Sequence, residues 1–369
     1  MSTHYFTIKP LQYDLFVGMD VDKRSISMTV LTHEQEVLHR KLPYNASNLL
    51  NLLGKRFPEK RIVFCYEAGP TGYGLYDQIT KAGYTCLVVP PAGVPKAASD
   101  RVKTNRIDSR KLASSLRGGE LHGIHVPSLA YRYLRYLVQL REILLCQVVS
   151  YKNRIKGLLL MEGICFPEST PRSQWTNLVI QKLKTLEAPA VVRLKLDHLL
   201  HQLEFSRMQL QKATIDVQDF CIHDPELSKS IHLLGTIPGI GMIVGMHLLA
   251  RIGDWRFLQN PHQIAGLFGL IPSEDSTGDV INRGSITRLG DSTARNKLIE
   301  TAWTAVRTDR ELQEFFLRVC SRHPKHLAKR KAIVAVARKL TVRIYIVLKY
   351  RRPYLSQTEF QALQGTPRR

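Results

Sequence analysis

Residues 15–21 (LFVGMDV), 25–31 (SISMTVL) and 36–42 (EVLHRKL) are short runs rich in β-branched and aliphatic residues, separated by brief polar links. That pattern predicts three strands in an antiparallel meander. From Asn45 the apolar residues change to helical spacing (NASNLLNLLGKRF), with Asn45 or Ser47 placed to cap the first turn. The apolar run at 61–68 (RIVFCYEA) predicts a buried strand, 72–83 (GYGLYDQITKAG) a helix, and 85–91 (TCLVVPP) a fifth strand. A further helix begins near Asp108.

The pattern then becomes helical. No Gly or Pro interrupts residues 129–156, and apolar residues fall at 137, 140, 144, 148, 151, 155 and 158, in steps of three and four. Arg135, Arg141, Lys152, Arg154 and Lys156 occupy the other faces. A second long helical pattern runs from 189 to 220. Two such helices joined by a loop predict an antiparallel arm, a device that dimerises or braces a partner; two packed helices of one domain would give the same pattern. Beyond residue 230, LLGTIPGIGMIVGMHLLARIGDW resembles a helix-hairpin-helix turn around Pro238-Gly239-Ile240-Gly241. There, backbone N–H groups at a helix start could hold a phosphate, or the turn could be a plain tight one. A polar, Gly-rich stretch and a helix follow.

Composition narrows the partners. The 369 residues carry a formal net charge of +22, and 44% of them are hydrophobic, as in a folded chain with a polyanionic partner. Between Arg318 and Thr358 there are twelve Lys and Arg and no Asp or Glu, a single-signed stretch suited to a phosphate backbone. No apolar run reaches membrane-spanning length, and residues 1–14 lack the pattern of a signal peptide, so a cytoplasmic protein without membrane partners is expected. The six cysteines are scattered with no Cys-x-x-Cys, which favours neither a zinc ribbon nor a disulfide framework. The His pairs 122/125, 198/201 and 323/326 lack a third ligand nearby and read as solvated or phosphate-facing.

Three carboxylates stand out by position. Asp20 ends the first strand, Glu67 ends the central strand, and Asp108 heads the helix after the fifth strand. The order βββαβαβ followed by that helix matches the ribonuclease-H-like fold, in which these positions can converge. Clustered carboxylates repel and hold their charges best around a hard divalent cation such as Mg²⁺. Two such ions activate a nucleophile and stabilise a leaving oxygen in phosphoryl transfer. Taken singly, Asp20 could be a strand-end turn residue and Asp108 a partner for its helix dipole.

The motifs GMDVDKRS (Asp20), CYEAGPTGYGLY (Glu67) and KTNRIDSRKLA (Asp108) resemble those of the IS-one-ten family of transposases. So do IPGIGMIVGMHLLARIGD, GLIPSEDSTG and RGSITRLGDSTARNKLIETAW in the C-terminal half. These are DEDD-type recombinases of bacterial insertion sequences, related to the Piv DNA invertases, and the resemblance covers nearly the whole chain. It implies a RuvC-like α/β catalytic domain over 12–127, a helical coiled-coil arm over 128–225, and a mainly α C-terminal transposase domain over 230–355. It also implies donor and target DNA as substrates, a noncoding bridge RNA that pairs with both, and a homo-oligomer, dimer or tetramer. The implied chemistry joins Mg²⁺ held by Asp20, Glu67 and Asp108 to a C-terminal hydroxyl that attacks the DNA phosphate.

Two positions depart from the family pattern. Asn105 stands where the family has an acid, and an amide oxygen can ligate Mg²⁺ but brings no charge. Thr277 stands where the family has its serine, with Ser276 one residue earlier, so either hydroxyl is a candidate nucleophile. Candidate nucleic-acid contacts are Lys103, Arg106, Arg110, Arg283, Arg288, Arg338, Lys339 and Arg343. The departures leave open an alternative: a catalytically impaired relative that still binds RNA and DNA. An actin-like ATPase would also suit GMDVDKRS, but it needs a second Gly-rich phosphate loop that the sequence lacks.

Overall fold

The computed structural model describes residues 5–93, 105–167, 175–274 and 283–355. The chain divides into two compact units, Met1–Val126 and Pro127–Arg369.

The first unit runs β1 (Tyr5–Phe6), β2 (Leu15–Val21), β3 (Ser25–Leu31), β4 (Glu36–Pro43), α1 (Ala46–Arg56), β5 (Ile62–Glu67), α2 (Gly74–Lys81), β6 (Thr85–Val89), α3 (Asn105–Arg117) and β7 (Gly123–Ile124). Five strands form a mixed sheet in the order β4-β3-β2-β5-β6. β2, β3 and β4 are the antiparallel meander expected from the pattern, while β5 and β6 add in parallel. Asn45 caps α1, its side chain accepting from Asn48 N at 3.2 Å. Because side chains alternate along a strand, the sheet feeds two cores. Val17, Met19, Phe64 and Tyr66 pack on one face with Leu49 and Leu53 of α1 and Leu75 and Ile79 of α2. Phe16, Val63 and Cys65 pack on the other face with Leu112, Ala113 and Leu116 of α3.

The second unit is mostly helical: α4 (Leu129–Met161), α5 (Asn177–Lys184), α6 (Ala190–His223), α7 (Pro225–Gly235), α8 (Met242–Ile252), α9 (Pro261–Leu267), β8 (Pro272–Glu274), β9 (Arg283–Ile286), α10 (Ser292–Thr308), α11 (Arg310–Ser321) and α12 (Lys325–Tyr350). The long helices α4 and α6 pack together, as the pattern predicts, but the segment between them carries α5 where the pattern predicts a loop. Eight residues give too little periodicity to stand out, although Thr176 caps the helix by accepting from Val179 N. The buried stripe of α4 also changes face along its length. Val148, Ile155 and Leu158 are inside as expected, whereas Leu140 is exposed and Tyr131, Leu134 and Val138 are buried instead. The cause is a second neighbour, since α4 also packs on α8, where Arg135 Nε donates to Ala250 O at 3.0 Å. Helix α12 is the centre of the unit, packed against α7, α9, α10 and α11. Among the described residues no helix is long and apolar enough to cross a membrane.

Candidate active site and basic surfaces

The first unit brings its acidic positions to one end and one face of the sheet. β2 and β5 run parallel with Met19 opposite Tyr66, so Asp20 and Glu67 are adjacent at the C-terminal ends of neighbouring strands. Two-residue alternation from Phe16 and from Cys65 puts both on the face that α3 covers.

Helix α3 is pinned there by backbone contact. A Cβ on Gly18 would stand 2.2 Å from Ala113 N and 2.3 Å from Ser109 O, so only glycine lets the helix lie on β2. The buried Ser109 hydroxyl is 2.9 Å from Thr29 Oγ1, and Cys65 Sγ reaches Leu112 O at 3.5 Å. The direction of α3 follows from Arg117, near its C-terminal end. That guanidinium donates to Thr32 O and His33 O at 3.4 Å, just beyond the end of β3 that pairs with the start of β2. The first turn of α3 therefore points to the end that carries Asp20 and Glu67.

The helix also has two flanks. Arg110 Nε meets Glu36 of β4 at 2.6 Å, which holds Glu36 below the usual carboxylate range. Helical geometry then puts Asp108 and Asn105 on the opposite flank, toward β5. Asp20 and Asp108 are half-buried, and Glu67 and Asn105 are exposed.

Placement at one end is not the same as a closed cluster. Among the described residues, no three His, Cys, Asp or Glu side chains surround a common point as metal ligands would. What the fold supplies is a set of hard oxygen donors on adjacent elements, the donor chemistry a Mg²⁺-sized cation takes.

The hydroxyl candidates Ser276 and Thr277 lie outside the described residues, as does Lys103. The strands that flank the hydroxyl segment, β8 and β9, pair with Pro272 opposite Ile286 and Glu274 opposite Arg283. Two glycines hold this ribbon close. A Cβ on Gly269 would meet Leu289 O at 2.1 Å, and one on Gly284 would meet Ser273 Oγ at 2.4 Å. Arg288 is exposed, and its backbone takes a left-handed φ of 55°. Around Pro238–Gly241 the chain runs α7, a tight turn and α8, an arrangement that suits a helix-hairpin-helix and a plain turn alike. Gly239 in that turn has φ +88°, and a Cβ on it would stand 2.8 Å from Thr301 O of α10.

The basic stretch from 318 splits into two parts. Arg318, Arg322, Lys325, Lys329, Arg330 and Lys331, at the α11–α12 corner, are exposed. Arg343 corrects the sequence reading: it is buried, its guanidinium 2.7 Å from Asp309 and 3.0 Å from Glu311, and stacked 4.5 Å from the Tyr354 ring centre. Lys339 is likewise engaged, 2.7 Å from Glu311 and 4.8 Å from the Phe315 ring centre. Arg338 is half-buried. A stretch free of acid in sequence thus meets its acids in space, from the start of α11. Arg106 and Arg110 are exposed, the latter in its pair with Glu36.

A half-buried charge without a motif to mark it is Glu142 on α4. Its carboxylate lies 2.9 Å from His247 Nε2 on α8 and 3.0 Å from Lys297 Nζ on α10. Burial opposes its ionisation, yet the contacts with His247 and Lys297 prevail and hold it at about 2. Burial pushes His247 below its ordinary value. The only sequence signal was an acid inside a long helix otherwise lined with cations.

Comparison with known proteins finds two family models on the chain. Residues 17–162 match the DEDD transposase family, and residues 231–317 match the family described as Transposase IS116/IS110/IS902. The chain is 33% identical over 245 residues to a protein of Sinorhizobium fredii named as transposase y4qE, covering 66% of this chain and 59% of that protein. It is 26% identical to the transposase for insertion sequence element IS1533 of Leptospira borgpetersenii, over 67% of this chain and 72% of the relative. A pilin gene-inverting protein of Moraxella bovis is 35% identical over 133 residues, 35% of this chain and 40% of that one.

Proposed function

The chain belongs to the IS116/IS110/IS902 family of transposases, and from that premise we propose that it is a metal-dependent recombinase that cuts and rejoins the DNA of an insertion sequence. The observation that carries this reading is the placement of Asp20, Glu67 and the first turn of α3 at one end and on one face of the sheet. The sheet order, with α3 across β2, supports a RuvC-like, ribonuclease-H-like catalytic domain over 12–127. In the same reading 128–225 is the arm and 230–355 the transposase domain.

Asp20, Glu67 and Asp108 would hold Mg²⁺, with Asn105 offering a neutral amide oxygen. When bound, the ion supplies charge that activates an attacking oxygen and stabilises a leaving one. The chain's own part is covalent. The hydroxyl of Thr277 or Ser276 loses its proton and bonds to a DNA phosphorus. The deoxyribose oxygen leaves and takes up a proton. The resulting phosphoester keeps the strand end attached until a second deoxyribose hydroxyl reverses the step. The six exposed cations at the α11–α12 corner suit the phosphates of donor and target DNA and of a bridge RNA. The exposed Tyr133, Tyr136, Leu140 and Ile143, at helical spacing on α4, suit packing against a second copy of the chain.

A second reading rests on Asn105 and Thr277, which remove one charge and substitute a more crowded hydroxyl: an impaired relative that binds RNA and DNA without cutting. Trapping of covalent protein–DNA adducts with Mg²⁺, on DNA carrying the element ends and with its flanking RNA, separates the two. An adduct from the wild type that disappears in only one of Thr277→Ala and Ser276→Ala names the nucleophile. No adduct from the wild type, where a serine-bearing family member forms one, would leave only the binding reading.

A further inference from the structure

The arm does not end as a plain helical hairpin. The last turns of α4, all of α5 and the first half of α6 enclose a core of their own, in which Ile155, Leu158, Ile180, Leu183, Leu196 and Leu200 are buried. On this small body, Lys152 Nζ lies 5.8 Å from the Trp175 ring centre and Lys156 Nζ 5.6 Å from that of Phe166. The two rings meet edge to face with centroids 5.2 Å apart. Lys152 and Lys156 are one turn apart on α4, and Arg207 of α6 is near enough to perturb Lys152. Burial pushes the Lys152 ammonium below its ordinary value, and the charges of Arg207 and Lys156 push it further. Two of these cations, Lys152 and Lys156, are thus held against aromatic rings, and Arg207 adds its charge from the second helix. Among the described residues, Glu204 pairs with Lys184 at 2.8 Å and Asp197 with Arg193. Between residues 148 and 210 there are nine Lys and Arg against five Asp and Glu, so the end of the arm is net basic, as the whole chain is.

We infer that Lys152, Lys156 and Arg207 form a site for a nucleic-acid phosphate backbone at the end of the arm, separate from the basic α11–α12 corner. Clustered like charges are relieved by a polyanion, and successive phosphates along a strand match cations set one helical turn apart better than a single small anion does. This inference rests on the reading that the chain handles nucleic acid. It adds where the arm takes hold: through its end, on duplex DNA or on RNA, which share this backbone chemistry. Leu160, Met161 and Leu178 are exposed on the same body, so an anionic lipid surface is the competing occupant.

The test uses the full chain. Binding to duplex DNA and to an RNA oligonucleotide is measured by fluorescence anisotropy from about 50 to 200 mM salt, a range in which each phosphate contact shows as a slope. The variants are Lys152→Gln/Lys156→Gln/Arg207→Gln, the same three positions with the charge kept by Lys152→Arg/Lys156→Arg/Arg207→Lys, and Lys182→Gln/Lys195→Gln on exposed positions of the same body. The neutralised triple variant should bind about tenfold or more weakly and lose about two units of log–log salt slope. The charge-keeping triple and the Lys182/Lys195 variant should stay within about twofold of wild type, their helical content unchanged. Loss on duplex DNA alone assigns the site to DNA, and loss on RNA alone to RNA. Wild-type binding with an unchanged slope in the neutralised triple overturns this site and leaves the family reading standing. Failure of the wild type to bind either probe overturns both. Loss of binding only to phosphatidylserine vesicles, with nucleic-acid binding intact, overturns the site in favour of lipid.

Discussion

The Ser109 hydroxyl of α3 sits 2.9 Å from the Thr29 hydroxyl of β3, beside the point where Gly18 lets the helix touch the sheet. This contact fixes the helix that carries Asp108 relative to the strands that carry Asp20 and Glu67. Gly18→Ala should therefore cost about 3 kcal/mol, because the added methyl meets backbone rather than a movable side chain. Ser109→Ala should cost about 1 kcal/mol by leaving Thr29 with one partner fewer in a buried site. Urea denaturation of the purified chain measures both. A Gly18→Ala variant as stable as wild type would show that α3 is not held as described.

The two halves of the basic stretch should respond differently. Arg343→Gln leaves Asp309 buried with Tyr354 and Leu312 N as its remaining partners, and should destabilise the chain by about 3–5 kcal/mol. Arg330→Gln with Lys331→Gln should leave stability within about 0.5 kcal/mol and lower nucleic-acid affinity at low salt. Melting curves and binding isotherms on the same preparations decide this. A stable Arg343→Gln variant with selectively weakened binding would return Arg343 to the nucleic-acid surface.

Acid should loosen the second unit through Glu142 and His247. Glu142 is held at about 2 in the folded chain against an ordinary 4.5, so its contribution is present above the ordinary value and lost as pH falls toward 2. His247 is also depressed, so below 6.5 the unfolded state takes up a proton first, and stability again falls with pH. Both effects have the same sign. Glu142→Gln should remove the component between about 4.5 and 2, and by breaking a half-buried ion pair should cost about 2 kcal/mol at neutral pH. Denaturation at several pH values checks this; equal pH dependence in variant and wild type would contradict it.

Asn105 sets how tightly the acidic end can hold a cation. Asn105→Asp adds a charge on the flank of α3 that faces β5, and should raise Mn²⁺ affinity several-fold in calorimetric titration. An unchanged affinity would place residue 105 outside the ion's reach.

How much of this was legible in the sequence differs between the units. The strands from Leu15 to Val89 announce themselves by apolar runs and short polar links, because each strand is buried locally and its pattern needs no distant partner. The placement of Asp20 and Glu67 at strand ends follows from those limits. Asp108's flank of α3 did not, since it depends on Arg110 finding Glu36 and on Gly18 admitting the helix. In the second unit the helices are plain, but which face is buried depends on neighbours far along the chain. Leu140 falls outside because Tyr131 and Val138 turn toward α8. Arg343 read as a phosphate contact because its acids, Asp309 and Glu311, lie more than thirty residues earlier. The hairpin turn at Gly239 was visible as a motif; that its glycine is needed against Thr301 O was not.

The account stands on Asp20, Glu67 and Asp108 acting together in strand cleavage. The most direct measurement is Mg²⁺-dependent cleavage of DNA carrying the element ends by wild type, Asp20→Asn, Glu67→Gln, Asp108→Asn and the Glu67→Gln/Asp108→Asn double variant. Each is first shown to melt like wild type and to bind DNA equally. Groups that act as a unit lose activity non-additively. Each single variant should therefore fall by about a hundredfold or more, and the double variant should be little worse than either of its singles. Cleavage by Asp108→Asn within a few-fold of wild type would contradict the account and leave Asp108 as no more than an acid at the start of its helix.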